Sequence, residues 1–213
     1  GRIGHVHARA ISGNENAVLA VISDPIESAA RSVADRYAAQ VRDVEAIATA
    51  DDIDAVVICT PTDLHAQQIE LFARAGKAVF CEKPVGGTPD QTVRIEAAAR
   101  RAGVITGVGY NYRWAPLVQH AKALIESGRL GEITNYRGRF FSMYGADPMG
   151  LLSWRFLVDE AGYGVSSDIL SHAVDLAHML LGPITEVSGT RETFIRERPL
   201  PKAGGTHYDR GQP

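Results

Sequence analysis

The sequence is poor in cysteine, in aromatic rings and in surplus charge of either sign. Cys59 and Cys81 are its two cysteines among 213 residues, too few for a disulfide-stapled secreted scaffold, and neither has a partner at metal-ligand spacing. Both sit in apolar runs, so buried strand thiols in a reducing compartment are expected, with the cytoplasm as the location. Aromatics make up 7% of the chain, and 22 basic against 25 acidic side chains leave a formal charge of −3. Such a balance lacks the electrostatic footprint of a nucleic-acid binder. No apolar run approaches the roughly 20 residues that span a bilayer as a helix, so no membrane partner is expected. What is left, 45% hydrophobic and 22% charged residues, is ordinary globular composition, enough for one large domain or two modest ones. The chain opens at Gly1 without a methionine and closes in a polar, glycine-rich stretch, 203–212. A fragment of a longer protein is therefore expected, which leaves an upstream targeting signal open.

The first half alternates short β-branched runs with alanine-rich charged segments of helical length. Strands are expected at 18–23, 55–60, 78–81 and 104–109, each apolar nearly throughout, as when helices cover both faces of a parallel sheet. Helices are expected at 25–37, 43–49, 65–75 and 89–101, delimited by prolines at first turns and glycines after last turns. Beyond Gly109 the rhythm changes to a helix over 115–127, a long strand over 132–143, a helix over 166–181 and a long strand over 184–196. The expected architecture is an α/β doubly wound domain over 1–114 followed by an α+β domain over 115–213.

Gly1-Arg2-Ile3-Gly4 precedes a helical stretch, and Asp24 closes the next apolar strand about twenty residues later, the tail of a dinucleotide fingerprint. In that pattern a glycine lets the backbone approach the pyrophosphate, and the acidic residue accepts the ribose hydroxyls while repelling a 2′-phosphate. NAD is thus expected over NADP. Asp24 suits equally an N-cap of the helix beginning at Pro25. Thr60-Pro61 and His65 follow the next strand, where a doubly wound sheet binds ligands; a plain turn with a histidine at a helix start is the alternative. Glu82-Lys83-Pro84 follows the run 78–81, and Pro84 drives Lys83 toward extended backbone. Lys83 is then aimed from the carboxyl edge of the sheet, unless it is simply a solvated lysine.

Taken with His7, these motifs resemble the Gfo/Idh/MocA family of sugar and polyol oxidoreductases, and Asn111-Tyr112-Arg113-Trp114, Gly131-Glu132, Trp154-Arg155 and the stretch 168–175 match in the same order. The resemblance covers essentially the whole chain. It implies a Rossmann domain, then an α+β domain whose open, mostly antiparallel sheet makes a homodimer or homotetramer, with the first strand, the first glycine and the last strands outside this chain. It also implies that Lys83, Asp168 and His172 meet the substrate hydroxyl beside the nicotinamide, with Asp175 in or near the same pocket.

Asp168, His172 and Asp175 stand at i, i+4 and i+7, which on an α-helix lie within roughly 60° of arc. The rest of that helix is strongly apolar, so it is expected to be substantially buried, and its polar stripe must pair or line a cavity. Oxidising a secondary alcohol sends a hydride to the nicotinamide and needs a base for the hydroxyl proton. His172 suits the base, and Lys83 suits stabilisation of the developing alkoxide. Asp168 either binds a substrate hydroxyl, orients the imidazole or raises its basicity. His5 and His7 do not share a helical face and His172 and His178 are out of phase, so a metal-independent reaction is expected. Asn111 and Arg113 are candidates for substrate contact, Arg113 also for an interface ion pair; Trp154 and Arg155 are candidates for cofactor contact, Trp154 also for a core aromatic. The loop 144–153 and Tyr163 are expected to shape the entrance. The leading expectation is an NAD-dependent dehydrogenase of a sugar, anhydrosugar or cyclic polyol. A redox-neutral glycosidase or lyase on the same scaffold and a non-catalytic dinucleotide sensor compete with it.

Overall fold

A computed structural model describes residues 1–202; the polar stretch 203–212 lies outside the described residues. The chain divides into two compact units, Gly1–Gly109 and Tyr110–Pro213.

The first unit runs α1 (Arg2–Ser12), β1 (Val21–Ile22), α2 (Glu27–Tyr37), β2 (Gln40–Val41), α3 (Val44–Thr49), β3 (Ala55–Ile58), α4 (Thr62–Arg74), β4 (Ala78–Cys81), α5 (Pro89–Ala102) and β5 (Thr106–Val108). Every pairing is parallel: β1 with β2, and β3, β4 and β5 in that order. This is the Rossmann-like α/β rhythm read from the sequence. Local chemistry sets several boundaries. Asp43 Oδ1 accepts the Ala46 N–H at 2.6 Å and caps α3. Thr88 Oγ1 accepts the Gln91 N–H at 3.3 Å, Pro89 opens α5, and Gly103, at φ +67°, closes it in the left-handed region that a side chain disfavours. The strand expected over 18–23 narrows to Val21–Ile22, because only these two residues find ladder partners, Gln40 and Val41.

Ile47, Ile53, Ile58, Ile69, Phe72, Val79 and Ile95 form the core of this unit, with Val21 and Val56 packed against it. Each such side chain contributes about 1.5–3 kcal/mol on burial. The register pairs Ile58 with Cys81 and Cys81 with Val108. The chain therefore leaves β3, β4 and β5 side by side, at Cys59, Glu82 and Gly109, on one edge.

The second unit holds a 3₁₀ turn at Asn111–Trp114, α6 (Pro116–Glu126), a 3₁₀ turn at Trp154–Phe156, the short α7 (Val158–Ala161), a π turn at Ser166–Leu170 and α8 (Ser171–Leu181). Three expectations are corrected here. The runs 132–143 and 184–196 form no strand among the described residues; a strand exists only in a ladder, and Phe141, Met143, Val187 and Phe194 of these runs are exposed. The helix expected over 166–181 begins as a π turn, so Asp168 is not in simple α-helical phase with His172 and Asp175. Finally, α8 is only partly covered: His172 is buried, but Val174 and Leu181 on its apolar flank are exposed.

Candidate functional site

The glycine loop and the strand edge come together in the first unit. Gly1 stands at the N-cap position of α1 without a side-chain cap, so the first amides of the helix keep their donors. Its nitrogen lies 3.9 Å from Asp24 Oδ2, while Asp24 Oδ1 accepts the Ile26 N–H at 2.9 Å ahead of α2. The two roles weighed for Asp24 are thus compatible, since one oxygen serves the turn and the other faces the glycine loop. Arg2 is exposed, and Ile3 and Gly4 are partly covered. Midway along, α1 reaches β4 and its exit: His7 Nε2 lies 2.7 Å from Glu82 Oε1, and the His7 ring meets Phe80 edge-on at 5.4 Å. Gly109 backs this pair, since a Cβ there would stand 2.9 Å from Glu82 Oε2. No sequence pattern assigns His7 a task of its own, because its partner lies 75 residues away.

His65 is 1% exposed. Its Nδ1 lies 2.8 Å from the Pro84 carbonyl oxygen and its Nε2 2.9 Å from that of Thr60. Both ring nitrogens face backbone, so the expectation that His65 touches the cofactor directly is corrected: it joins the turn after β3 to the turn after β4. Thr60 Oγ1 donates to Gln68 Oε1 at 2.9 Å, and Pro61 occupies the N-cap position of α4. Lys83 sits partly covered between Glu82 and Pro84, with the Lys83–Pro84 peptide cis. Burial, reinforced by Glu82, pushes the Cys59 thiol up to about 12, and burial followed by the neighbouring Cys59 pushes Cys81 up as well. Neither behaves as a reactive thiol.

In the second unit His172, 5% exposed, stands in an aromatic box. Tyr112 and Tyr110 meet its ring edge-on at 4.6 and 5.7 Å, and Phe140 stacks on it at 6.1 Å. The acidic residues of the expected stripe are each held by an arginine. Asp175, its side chain 9% exposed, accepts from Arg113 Nε and Nη2 at 2.6–2.8 Å. Asp168 lies in the π turn, 3.8 Å from Arg155 Nε. Arg155 also covers the Trp154 ring at 4.3 Å, so the two residues expected at the cofactor are stacked on each other. Hydrogen bonding to Asp175 raises the Arg113 guanidinium pKa further; burial pushes the Tyr110 phenol up while a hydrogen bond with Ser171 pulls it down. A shallow cavity of about 310 Å³ opens beside these groups, lined by Tyr110, Arg113, Ser171, Asp175 and His178 among others. Asn111 is exposed in the 3₁₀ turn, and Tyr163 is half-exposed between two glycines.

The loop 144–153 has an anchor absent from the sequence reading. The Arg198 guanidinium donates to the carbonyl oxygens of Gly145, Asp147 (2.9 Å) and Gly150 (3.3 Å) and covers the Phe156 ring at 4.1 Å. Tyr144 stacks on the same Phe156 at 5.6 Å and its hydroxyl lies 3.2 Å from Ser153 Oγ.

The first unit fits a dinucleotide. A Cβ built on Gly4 meets no described protein atom within 4 Å, so packing among the described residues does not demand glycine there, and the Asp24 carboxylate stands beside the uncapped amides of α1.

Comparison with known proteins follows the same division. Residues 1–110 match the oxidoreductase family with an NAD-binding Rossmann fold, and residues 118–209 match the GFO/IDH/MocA C-terminal domain. Inositol 2-dehydrogenase of Rhizobium meliloti (strain 1021) is 40% identical over 182 residues, 85% of this chain and 53% of that protein. Levoglucosan dehydrogenase of Pseudarthrobacter phenanthrenivorans is 39% identical over 153 residues, 72% of this chain and 39% of that protein. The solved complex of a levoglucosan dehydrogenase with NADH and levoglucosan superposes with a TM-score of 0.85 at 34% identity, covering 92% of this chain and 54% of that one. The chain spans about half the length of the curated relatives it matches. With both units matched in order along nearly its whole length, the chain belongs to the Gfo/Idh/MocA oxidoreductase family.

Proposed function

We propose that the protein carrying this chain is an NAD-dependent dehydrogenase of a secondary hydroxyl on a sugar, anhydrosugar or cyclic polyol. The observation that carries this reading is the run of polar groups along one edge of the first unit: the glycine loop with Asp24 beside it, and Glu82-Lys83-Pro84 held by His7 and His65. The inositol and levoglucosan dehydrogenases among its relatives support the substrate class. Bound NAD supplies the hydride acceptor. The residues of the chain do the rest: the uncapped amides of α1 bind pyrophosphate, Asp24 accepts ribose hydroxyls and disfavours a 2′-phosphate, and the Lys83 ammonium donates to the reacting oxygen as negative charge builds there. His172 accepts the hydroxyl proton on its imidazole. Asp168, beside Arg155, and Asp175, paired with Arg113, accept hydrogen bonds from the substrate hydroxyls. Asn111, Trp154 and Arg155 complete the contacts to substrate and nicotinamide. A homo-oligomer assembled through the second domain, and a cytoplasmic setting suited to two free thiols, belong to the same reading.

The test is turnover of the intact protein on a panel of inositols, aldoses and anhydrosugars with NAD or NADP, followed by absorbance of the reduced nicotinamide. A selective rise with NAD, lost in Lys83→Ala and in His172→Ala, is expected. Equal turnover in Lys83→Ala removes the mechanism, and cleaved product without net NADH replaces it with the redox-neutral reaction.

A further inference from the structure

The strongest feature that this reading leaves unused is the His65 bridge. A buried histidine is usually satisfied by one carboxylate or one carbonyl. Here both ring nitrogens are directed at carbonyl oxygens, and those oxygens belong to turns that follow two adjacent strands. The Thr60 carbonyl belongs to the turn that begins α4, and the Pro84 carbonyl to the turn that carries Lys83. The β3–β4 ladder itself ends at Ile58 and Cys81, with one further bond from Glu82 N to Ile58 O at 3.0 Å. Beyond that point the backbone has no ladder to keep it in register, and the imidazole takes over as a rigid cross-strut between the two exits. Its ring has two torsions and no more, and at 1% exposure it has no space to adopt another rotamer.

We infer that His65 is a positioning residue: through its Nδ1 contact with the Pro84 carbonyl it sets where Lys83 presents its ammonium, and through its Nε2 contact with the Thr60 carbonyl it sets the turn that follows β3. The inference rests on the assignment of Lys83 to the reacting oxygen. It separates two functions on two atoms of one ring. The Pro84 contact governs the chemical step, where a displacement of about 1 Å costs on the order of a hundredfold. The Thr60 contact governs the fit of the dinucleotide against the sheet edge.

Two substitutions divide the ring. The Asn amide nitrogen overlays the position of the imidazole Nδ1, and the Gln amide nitrogen overlays Nε2. His65→Asn therefore keeps a nitrogen toward Pro84 and removes the one toward Thr60; His65→Gln does the reverse. In the intact protein, His65→Gln is expected to lower kcat about tenfold or more with KM for NAD near the parent value. His65→Asn is expected to raise KM for NAD several-fold, roughly, with kcat near the parent value. Introduced into Lys83→Ala, His65→Gln is expected to cost nothing further, because its effect passes through the lysine. Equal losses of kcat in the two variants, losses that follow the melting temperature, or additivity with Lys83→Ala overturn the positioning role. Retained turnover in Lys83→Ala alone instead overturns the assignment of the lysine, so the two failures are distinct. If either variant does not fold, ¹⁵N-histidine spectra of the parent protein decide: a ring N–H of His65 that exchanges slowly with water supports the strut, and fast exchange at both nitrogens overturns it.

Discussion

Arg113 grips Asp175 with two nitrogens, Nε lying 2.8 and 2.7 Å from the two carboxylate oxygens and Nη2 lying 2.6 Å from Oδ1. The pair links the 3₁₀ turn at Asn111–Trp114 to α8, 62 residues on, and Arg113 O in turn accepts from the Gln119 side-chain amide at 2.5 Å. The carboxylate is the buried member, since the Arg113 side chain is 41% exposed. Arg113→Met strands a largely desolvated charge. Allowing for screening at the exposed guanidinium, the expected loss is about 1–2 kcal/mol, read by chemical denaturation. Asp175→Asn in the same background should recover part of it, and strict additivity of the two changes would deny the coupling.

Gly109 is fixed by its neighbour rather than by its backbone angles. A Cβ would stand 2.9–3.1 Å from the carboxylate atoms of Glu82, which is the partner of His7. Gly109→Ala is expected to displace Glu82, to loosen the hold of β4 on the middle of α1 and to lower stability by about 1–3 kcal/mol. Weaker NAD binding in the folded variant, measured by titration calorimetry, is the second expectation; unchanged stability and binding would mean that Glu82 gives way without consequence.

Asp24 should govern cofactor choice. A 2′-phosphate close to its carboxylate meets repulsion on the order of 1–4 kcal/mol, so Asp24→Ser is expected to shift the NAD to NADP ratio of kcat/KM toward NADP by about tenfold or more. Because Oδ1 also receives the Ile26 N–H, serine, which keeps an acceptor for that turn, is the appropriate replacement. A preference that does not move would leave Asp24 with the turn alone.

The Cys59 thiol has an ordinary pKa of 9.0 and is pushed up to about 12 in the fold, chiefly by burial. The folded state therefore holds its proton more tightly than the unfolded chain. The stability this represents is complete below about pH 9 and is lost as the pH rises toward 12. Cys59→Ala should flatten the alkaline limb of a stability-against-pH curve without changing its neutral plateau by the same amount. The same burial predicts that native protein at neutral pH resists alkylation far longer than denatured protein, which mass spectrometry after timed quenching would measure.

Tyr112 and Phe140 hold the His172 ring at 4.6 and 6.1 Å. Phe140→Ala removes one face of the box and opens the imidazole to water, so a drop in kcat of about tenfold is expected. A variant that loses stability but keeps the parent kcat would reduce Phe140 to packing.

The first unit was readable residue by residue because its signals are local. Runs such as 78–81 are apolar on both faces, prolines and glycines mark the turns, and β4 occupies the four residues expected. Glu82, Lys83 and Pro84 follow directly from where that strand stops. What escaped the sequence is what depends on distant partners. His65 bonds to carbonyl oxygens, which every residue possesses, so no pattern of side chains announces the bridge. His7 and Glu82 are 75 positions apart, and Arg198 lies 48–53 residues from the carbonyls it holds. The runs 132–143 and 184–196 have strand-like composition, but a strand is a relation between segments and no ladder forms there among the described residues. The π turn before α8 has no compositional mark at all, and it alters the phase on which the Asp168, His172 and Asp175 stripe was counted.

Arg198 holds the loop 144–153 by the carbonyl oxygens of Gly145, Asp147 and Gly150. Carbonyl oxygens survive any substitution. Gly145, at φ +76° and with a Cβ position 2.9 Å from Phe156, and Gly150, with a Cβ position 3.1 Å from Arg198 and from the Asp147 carbonyl, are bound to their identity by shape, and the Asp147 side chain accepts the Met149 N–H at 2.9 Å. At exposed Ala146 and Pro148 the arginine asks only for a carbonyl path, so these positions can change side chain while that path stays put. A single arginine outside the loop thereby separates the inheritance of form from the drift of side chains.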